Sequence, residues 1–147
     1  MKNWIITAIA IGLIIVAAIA FINKPATNQN VQLDNDSQGP SELKWYTDMN
    51  LAISEAQNNN KSIFALFYTD WCPGCQEIQS NTLSNDDVKQ KLAQKYVSVK
   101  IDTDNNPQLS SEYGIYGLPT IIIMDSNGKE ITRLLGYQSP EDLLNLL

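Results

Sequence analysis

Histidine is absent from this sequence. That removes the commonest metal ligand, the usual general base and the usual switch near neutral pH. Cysteine occurs only twice, at Cys72 and Cys75. Two cysteines exclude a disulfide-framework miniprotein. Without histidine they also exclude a four-ligand Cys/His zinc site within one chain and a four-cysteine iron–sulfur cluster. Covalent haem needs a histidine directly after the second cysteine, and position 76 is Gln. Basic charge is scarce, with 10 Lys and Arg against 16 Asp and Glu and a formal net charge of −6. No basic face is available to neutralise phosphates, which argues against a nucleic-acid partner. No internal repeat is visible.

Length allows one domain plus an appendage in 147 residues. The one long apolar run is Trp4 to Ile22, 19 residues without a charge. As a helix it would reach roughly 28 Å, near the hydrocarbon thickness of a bilayer. Residues 1–22 are therefore expected to form a single transmembrane anchor, with the N-terminus cytoplasmic and the rest extracytoplasmic. A cleaved signal is the rival, because Ala18-Ile19-Ala20 fits the A-x-A pattern. Phe21-Ile22 continue the apolar run past that point and favour retention. Residues 23–42 are rich in Asn, Gln, Asp, Ser and Pro, and read as a flexible linker. As a random coil of 20 residues it would span roughly 25 Å.

Residues 43–147 suffice for one cored domain. The segment "TDMNLAISEAQNNN" carries Met49, Ala52, Ile53 and Ala56 at helical spacing. "SIFALFY", Ser62 to Tyr68, reads as a buried strand. Pro73 suits the first turn of a helix predicted over 73–80. Asn85 caps a further helix with acids first and lysines later. "YVSVKID" reads as a strand, "PQLSSEYG" as a short helix and "TIIIMD" as a strand. Asn127-Gly128 predicts a tight hairpin with φ > 0 at both central positions. "EITRLLG" then pairs back antiparallel, and Ser139-Pro140 open a closing helix. The expected fold class is α/β, a mixed central sheet flanked by helices, with the cysteines where a strand meets a helix.

A structural disulfide closing so small a loop would contribute only about 2 kcal/mol before strain. A redox pair fits better. Cys72 would sit at the start of a helix, where unpaired N–H groups favour a thiolate. Cys75, one turn deeper, could resolve a mixed disulfide formed at Cys72.

"FYTDWCPGC" resembles the strand–Trp-Cys-x-x-Cys–helix motif of the thioredoxin superfamily, and "YGIYGLPT" resembles its second signature. The resemblance spans roughly residues 43–147. It implies a thioredoxin-like fold, catalytic Cys72 and Cys75, and no cofactor beyond their redox-active disulfide. It also implies a cis Pro119 facing the cysteines, with Trp71, Leu118 and Pro119 contacting substrate. "YTDWCPGCQEIQSNTLSNDDV" is most similar to the periplasmic C-terminal domain of the DsbD family, sharing an acid before Trp-Cys (Asp70) and the run Thr82-Leu83-Ser84. That likeness implies an extracytoplasmic, single-pass protein of the bacterial inner membrane. It would reduce protein disulfides and draw electrons from a membrane donor of DsbD type. An oxidase or isomerase, and a binding module without redox turnover, are the alternatives. Leu66 stands where many thioredoxins carry a buried acid, and Asp70 and Glu77 are candidate tuning groups. Phe67 and Tyr68 are expected in the core, and Tyr113 and Tyr116 to pack the helix-to-strand loop.

Overall fold

The structure, a computed structural model, describes residues 42–147. The expected membrane anchor, and the expected linker apart from Glu42, lie outside the described residues. Among the described residues no helix is long and apolar enough to cross a membrane.

The order of elements is β1 (Trp45–Tyr46), α1 (Met49–Asn59), β2 (Ser62–Tyr68), α2 (Pro73–Glu77), a π-helical turn (Ile78–Thr82), α3 (Asp86–Lys95), β3 (Tyr96–Asp102), α4 (Pro107–Glu112), β4 (Thr120–Met124), β5 (Glu130–Leu135) and α5 (Pro140–Leu146). The strands form one sheet in the order β1-β3-β2-β4-β5. β1, β3 and β2 run parallel, while β4 and β5 are antiparallel additions. The two parallel neighbours β2 and β3 are joined through α2, the π turn and α3, the helical crossover that parallel pairing requires.

Side-chain alternation assigns each strand residue to one of two cores. Ile63, Ala65 and Phe67 of β2, with Ile122 and Met124 of β4, pack against Met49, Ala52 and Ala56 of α1, with Leu109 and Tyr113 at the margin. Phe64, Leu66, Ile121 and Ile123 face the opposite way, onto Ile78, Val88, Leu92 and Leu143. Covering both faces explains why the interiors of β2 and β4 are apolar without alternation. Two helices begin on the expected caps: Asn85 accepts from Asp87 and Val88 N–H at 3.0 and 3.2 Å, and Ser139 from Asp142 at 3.1 Å. At α1 the cap is Asp48, which accepts from the Leu51 N–H at 3.0 Å.

Three local features differ from the sequence expectation. The helix begun at Pro73 does not continue as α-helix to Ser80. It widens after Glu77 into the π turn, closed by Leu83 N–H to Ile78 O at 2.8 Å. Tertiary bonds hold that turn: Thr82, fully buried, donates from Oγ1 to Gln138 O at 2.6 Å, and Asn81 donates to the Tyr137 hydroxyl at 2.7 Å. The hairpin is wider than a two-residue turn, and of its central pair only Gly128 has positive φ, at 83°. Asp125 organises it: Oδ1 accepts from Asn127 and Lys129 N–H, both at 2.9 Å, and its carbonyl from Gly128 at 3.1 Å. One left-handed residue then suffices to reverse the chain. Finally, no strand is expected from sequence at β1, whose two residues are too few to show a period.

Candidate active site

β2 ends at Tyr68 and delivers Thr69-Asp70-Trp71-Cys72 to the edge of the sheet where α2 starts. Cys72 is the N-cap of α2, with extended backbone angles, and Pro73 occupies the first turn. The missing N–H of proline costs nothing there. Cys72 and Cys75 are joined as a disulfide with their Cα atoms 5.2 Å apart. The backbone N–H of Cys75 points at Cys72 Sγ, 3.2 Å away, and the Cys72 carbonyl accepts from Cys75 and Gln76 at 3.0 and 3.1 Å. A donor held at that sulfur favours negative charge on it once the disulfide is reduced. The two residues are both buried but unequally covered: Cys72 is 6% exposed and Cys75 0%.

The Leu118–Pro119 bond is cis, the conformation the resemblance implied. Pro119 lies directly over α2. A Cβ added to Gly74 would stand 3.2 Å from Pro119 Cδ, closer than ordinary contact. Glycine at 74 therefore answers to its neighbour, and it lets the proline approach the cysteine turn.

Trp71 is 68% exposed, yet its indole N–H donates to Asp104 Oδ2 at 2.7 Å. Asp104 sits in the loop after β3. Asp102 braces that loop, its carboxylate accepting from Asp104 N–H at 3.0 Å and from the Asn105 amide, its carbonyl from the Asn106 amide at 2.8 Å. Thr103 N–H ties the loop to Tyr68 O at 2.9 Å. Sequence reading missed Asp104. The signal was indirect: Tyr68 and Asp102 are register partners in parallel strands, so the loops that follow them emerge side by side.

Leu66 is fully buried in one cluster with Phe64, Ile78 and Leu92. Asp70 and Glu77 are both exposed. Burial, with help from the Asp70 and Asp102 carboxylates, pushes the Tyr68 phenol up from its ordinary range. Thr69 is fully buried, and its hydroxyl has no hydrogen-bond partner among the described residues. Phe67 lies in the core as expected, and Tyr113 packs against it with ring centroids 5.6 Å apart, while Tyr116 is 97% exposed rather than packed. Tyr116 and Leu118 border an open hollow of about 600 Å³ that runs to Leu135 on β5. Among the described residues no cluster of three metal-ligating side chains occurs.

Together these groups can carry thiol–disulfide exchange: a bonded cysteine pair of which Cys72 is the less covered, a donor on its sulfur, and a proline against Gly74 between the two. The family model for the thioredoxin-like domain matches residues 49–147. The chain is 34% identical over 96 residues to the thiol:disulfide interchange protein DsbD of Actinobacillus pleuropneumoniae, covering 61% of this chain and 16% of that one. It is 28% identical over 143 residues to the DsbD of Yersinia pestis, covering 92% of this chain and 24% of that one. The chain thus spans no more than about a quarter of the length of these curated relatives. Among solved structures, a thioredoxin from Thermus thermophilus superposes with a TM-score of 0.65 at 24% identity, covering 71% of this chain and 84% of that one.

Proposed function

The chain belongs to the thioredoxin-like domain family, and on that premise we propose that it is an extracytoplasmic, membrane-tethered reductase of protein disulfides. The observation that carries the reading is the unequal burial of two bonded cysteines, 6% against 0%, with the outer sulfur facing an amide donor.

In the reduced protein, Cys72 Sγ attacks a sulfur of the substrate disulfide. A Cys72–substrate disulfide forms, and the other substrate sulfur leaves as a thiolate and takes up a proton. Cys75 then loses its proton and attacks Cys72 Sγ. The Cys72–Cys75 bond forms, and the second substrate thiolate departs. Two electrons pass to the substrate, and the protein is left in the disulfide state. A dithiol donor must return those electrons, because an oxidising compartment does not. The DsbD relatives motivate a membrane donor of that type.

Exposed Trp71, next to Cys72 in the chain, and Pro119, packed over Gly74, would contact the substrate, and Leu118 offers backbone to an extended substrate segment, in the manner of strand addition. The apolar run Trp4 to Ile22 supports the tether, and the polar residues 23–42 supply reach.

Cys75→Ala tests the assignment. It should accumulate mixed disulfides between Cys72 and partner proteins, whereas Cys72→Ala should accumulate none. Equal trapping by the two variants, or trapping by Cys72→Ala alone, rejects these roles for the two cysteines.

A further inference from the structure

Arg133 is the half-buried cation of β5, and its guanidinium makes four hydrogen bonds. Nη1 donates to Gly114 O at 3.0 Å and Nη2 to Tyr113 O at 2.8 Å. Nε and Nη2 also grip both oxygens of Glu130, at 3.0 and 2.7 Å. Arg133 pairs in register with Ile122, so alternation sends its side chain to the sheet face that α1 covers, where Leu109 and Tyr113 lie at the margin. The two carbonyls it takes follow α4 directly, where a helix leaves acceptors without partners. They also open the segment Tyr113–Leu118 that leads into Pro119.

Part of that segment is fixed by other contacts: Tyr113, Gly114 and Ile115 N–H bond back to Leu109, Ser111 and Ser110 O at 3.0, 3.1 and 2.8 Å, and the Tyr113 ring packs on Phe67. Tyr116 is 97% exposed, so its ring anchors nothing. Thr120 Oγ1 holds Gly117 O at 2.7 Å, and Gly136 N–H holds Pro119 O at 2.8 Å, both at the far end. At the near end Arg133 takes the Tyr113 and Gly114 carbonyls. Guanidinium geometry suits the task, because one planar fork can serve two carbonyls and a carboxylate at once. Glu130 in turn sets the fork's orientation and balances its charge.

We propose that Arg133, oriented by Glu130, is a positioning residue that holds Tyr113–Leu118 in place so that a protein disulfide can dock beside Pro119. This rests on the reductase reading above. Arg133 acts on recognition and leaves the chemistry of the sulfurs alone, because none of its contacts reaches Cys72 or Cys75.

The experiment uses the full chain and its Arg133→Met and Arg133→Lys variants, with insulin as the protein disulfide and a small aromatic disulfide as the control. Arg133→Met should raise KM for insulin at least about tenfold, the equivalent of one charge-assisted hydrogen bond. Turnover at saturation, the rate with the small disulfide and the Cys72–Cys75 reduction potential should stay at the wild-type values. Amide exchange should quicken at Ile115 to Leu118 and nowhere else in the sheet. Arg133→Lys should recover part of the loss, since an ammonium reaches one carbonyl at a time. If Arg133→Met does not fold, the same readouts on Arg133→Lys decide. Unchanged KM for insulin, or unchanged exchange at Ile115 to Leu118, overturns the proposal. So does an equal loss with the small disulfide or a shifted potential. If the wild-type chain leaves insulin unreduced, the reductase reading falls and takes this inference with it. If wild type reduces insulin and the variants match it, this inference falls alone.

Discussion

Trp71 and Asp104 stand 33 positions apart in sequence and share a 2.7 Å hydrogen bond across the mouths of two parallel strands. The indole beside Cys72 is thus exposed and oriented at once. Asp104→Ala removes the acceptor and leaves the ring free to rotate. A single such bond is worth about 0.5–1.5 kcal/mol, so kcat/KM for a protein disulfide should fall about two- to tenfold. Thermal stability should barely move, because the pair lies at the surface. The Trp71 indole proton resonance should shift toward that of a solvated indole. An unchanged kcat/KM would show that the orientation of Trp71 is irrelevant to exchange.

Gly74→Ala sets two effects against each other. Alanine is favoured over glycine inside a helix by about 0.8–1 kcal/mol. The added Cβ would lie 3.2 Å from Pro119 Cδ, and a ring fixed in its backbone gives way poorly. The net change in stability should therefore stay within about 1 kcal/mol by urea melts. The exchange rate should fall, because Pro119 is pushed off the cysteine turn. A variant as active as wild type would show that this close approach has no role in exchange.

The apolar runs of β2 and β4 and the caps at Asn85 and Ser139 were legible because each is a local rule read within one element. The Cys-x-x-Cys turn and its facing proline were legible as a resemblance. What escaped was tertiary. The π turn over Ile78–Thr82 is held by Gln138 and Tyr137, more than 50 residues away, and no window around the turn contains them. The Trp71–Asp104 pair and the Arg133 fork have the same character, since each joins segments distant in sequence that only the fold brings together. At Asn127-Gly128 a local rule is overruled, because the Asp125 side chain supplies acceptors that the dipeptide pattern does not count.

Leu66→Asp would restore a carboxylate where the family often has one. Leu66 is 0% exposed and packs on Ile78, so the change removes apolar contacts and buries a polar group. A loss of about 2–5 kcal/mol is expected from urea unfolding. Burial also disfavours the charged form, so the new acid should titrate well above the ordinary carboxylate range. Such a group can accept the Cys75 proton. Release of substrate from the mixed disulfide should then quicken near neutral pH while stability drops. Slower release in a folded variant would argue that Cys75 already has an adequate acceptor.

Hydrogen bonds from Arg133 hold the Glu130 carboxyl below its ordinary 4.5, against a smaller opposing effect of burial. Because the folded value is depressed, the pair's contribution is complete above the unfolded pKa. It is lost as pH falls through the lowered folded value. Lys89 lowers Asp86 in the same direction at an exposed site. Stability should therefore be flat above about pH 5 for these groups and decline below about pH 4.5. Glu130→Gln should flatten part of that acid limb in urea melts. An acid limb of wild-type steepness in Glu130→Gln would mean the carboxylate adds nothing to stability.

The direction of electron flow depends on how strongly the reduced pair is stabilised. Pro73-Gly74 bring no charge to Cys72, and Leu66 stands where many thioredoxins carry a buried acid. What remains for the Cys72 thiolate is the Cys75 amide at 3.2 Å and the start of a five-residue helix. That is modest help beside a nearby cation or imidazolium. Without strong thiolate stabilisation the disulfide is a weak oxidant. The potential should lie nearer the ~−270 mV of thioredoxin than the ~−120 mV of the oxidant DsbA. Those two values differ by roughly 7 kcal/mol for two electrons, more than one amide hydrogen bond can supply. Equilibration of the full chain in glutathione and dithiothreitol buffers, with thiols counted by alkylation, measures it. A value above about −180 mV, the region of protein disulfide isomerase, would reverse the assignment and make the protein an oxidase or isomerase.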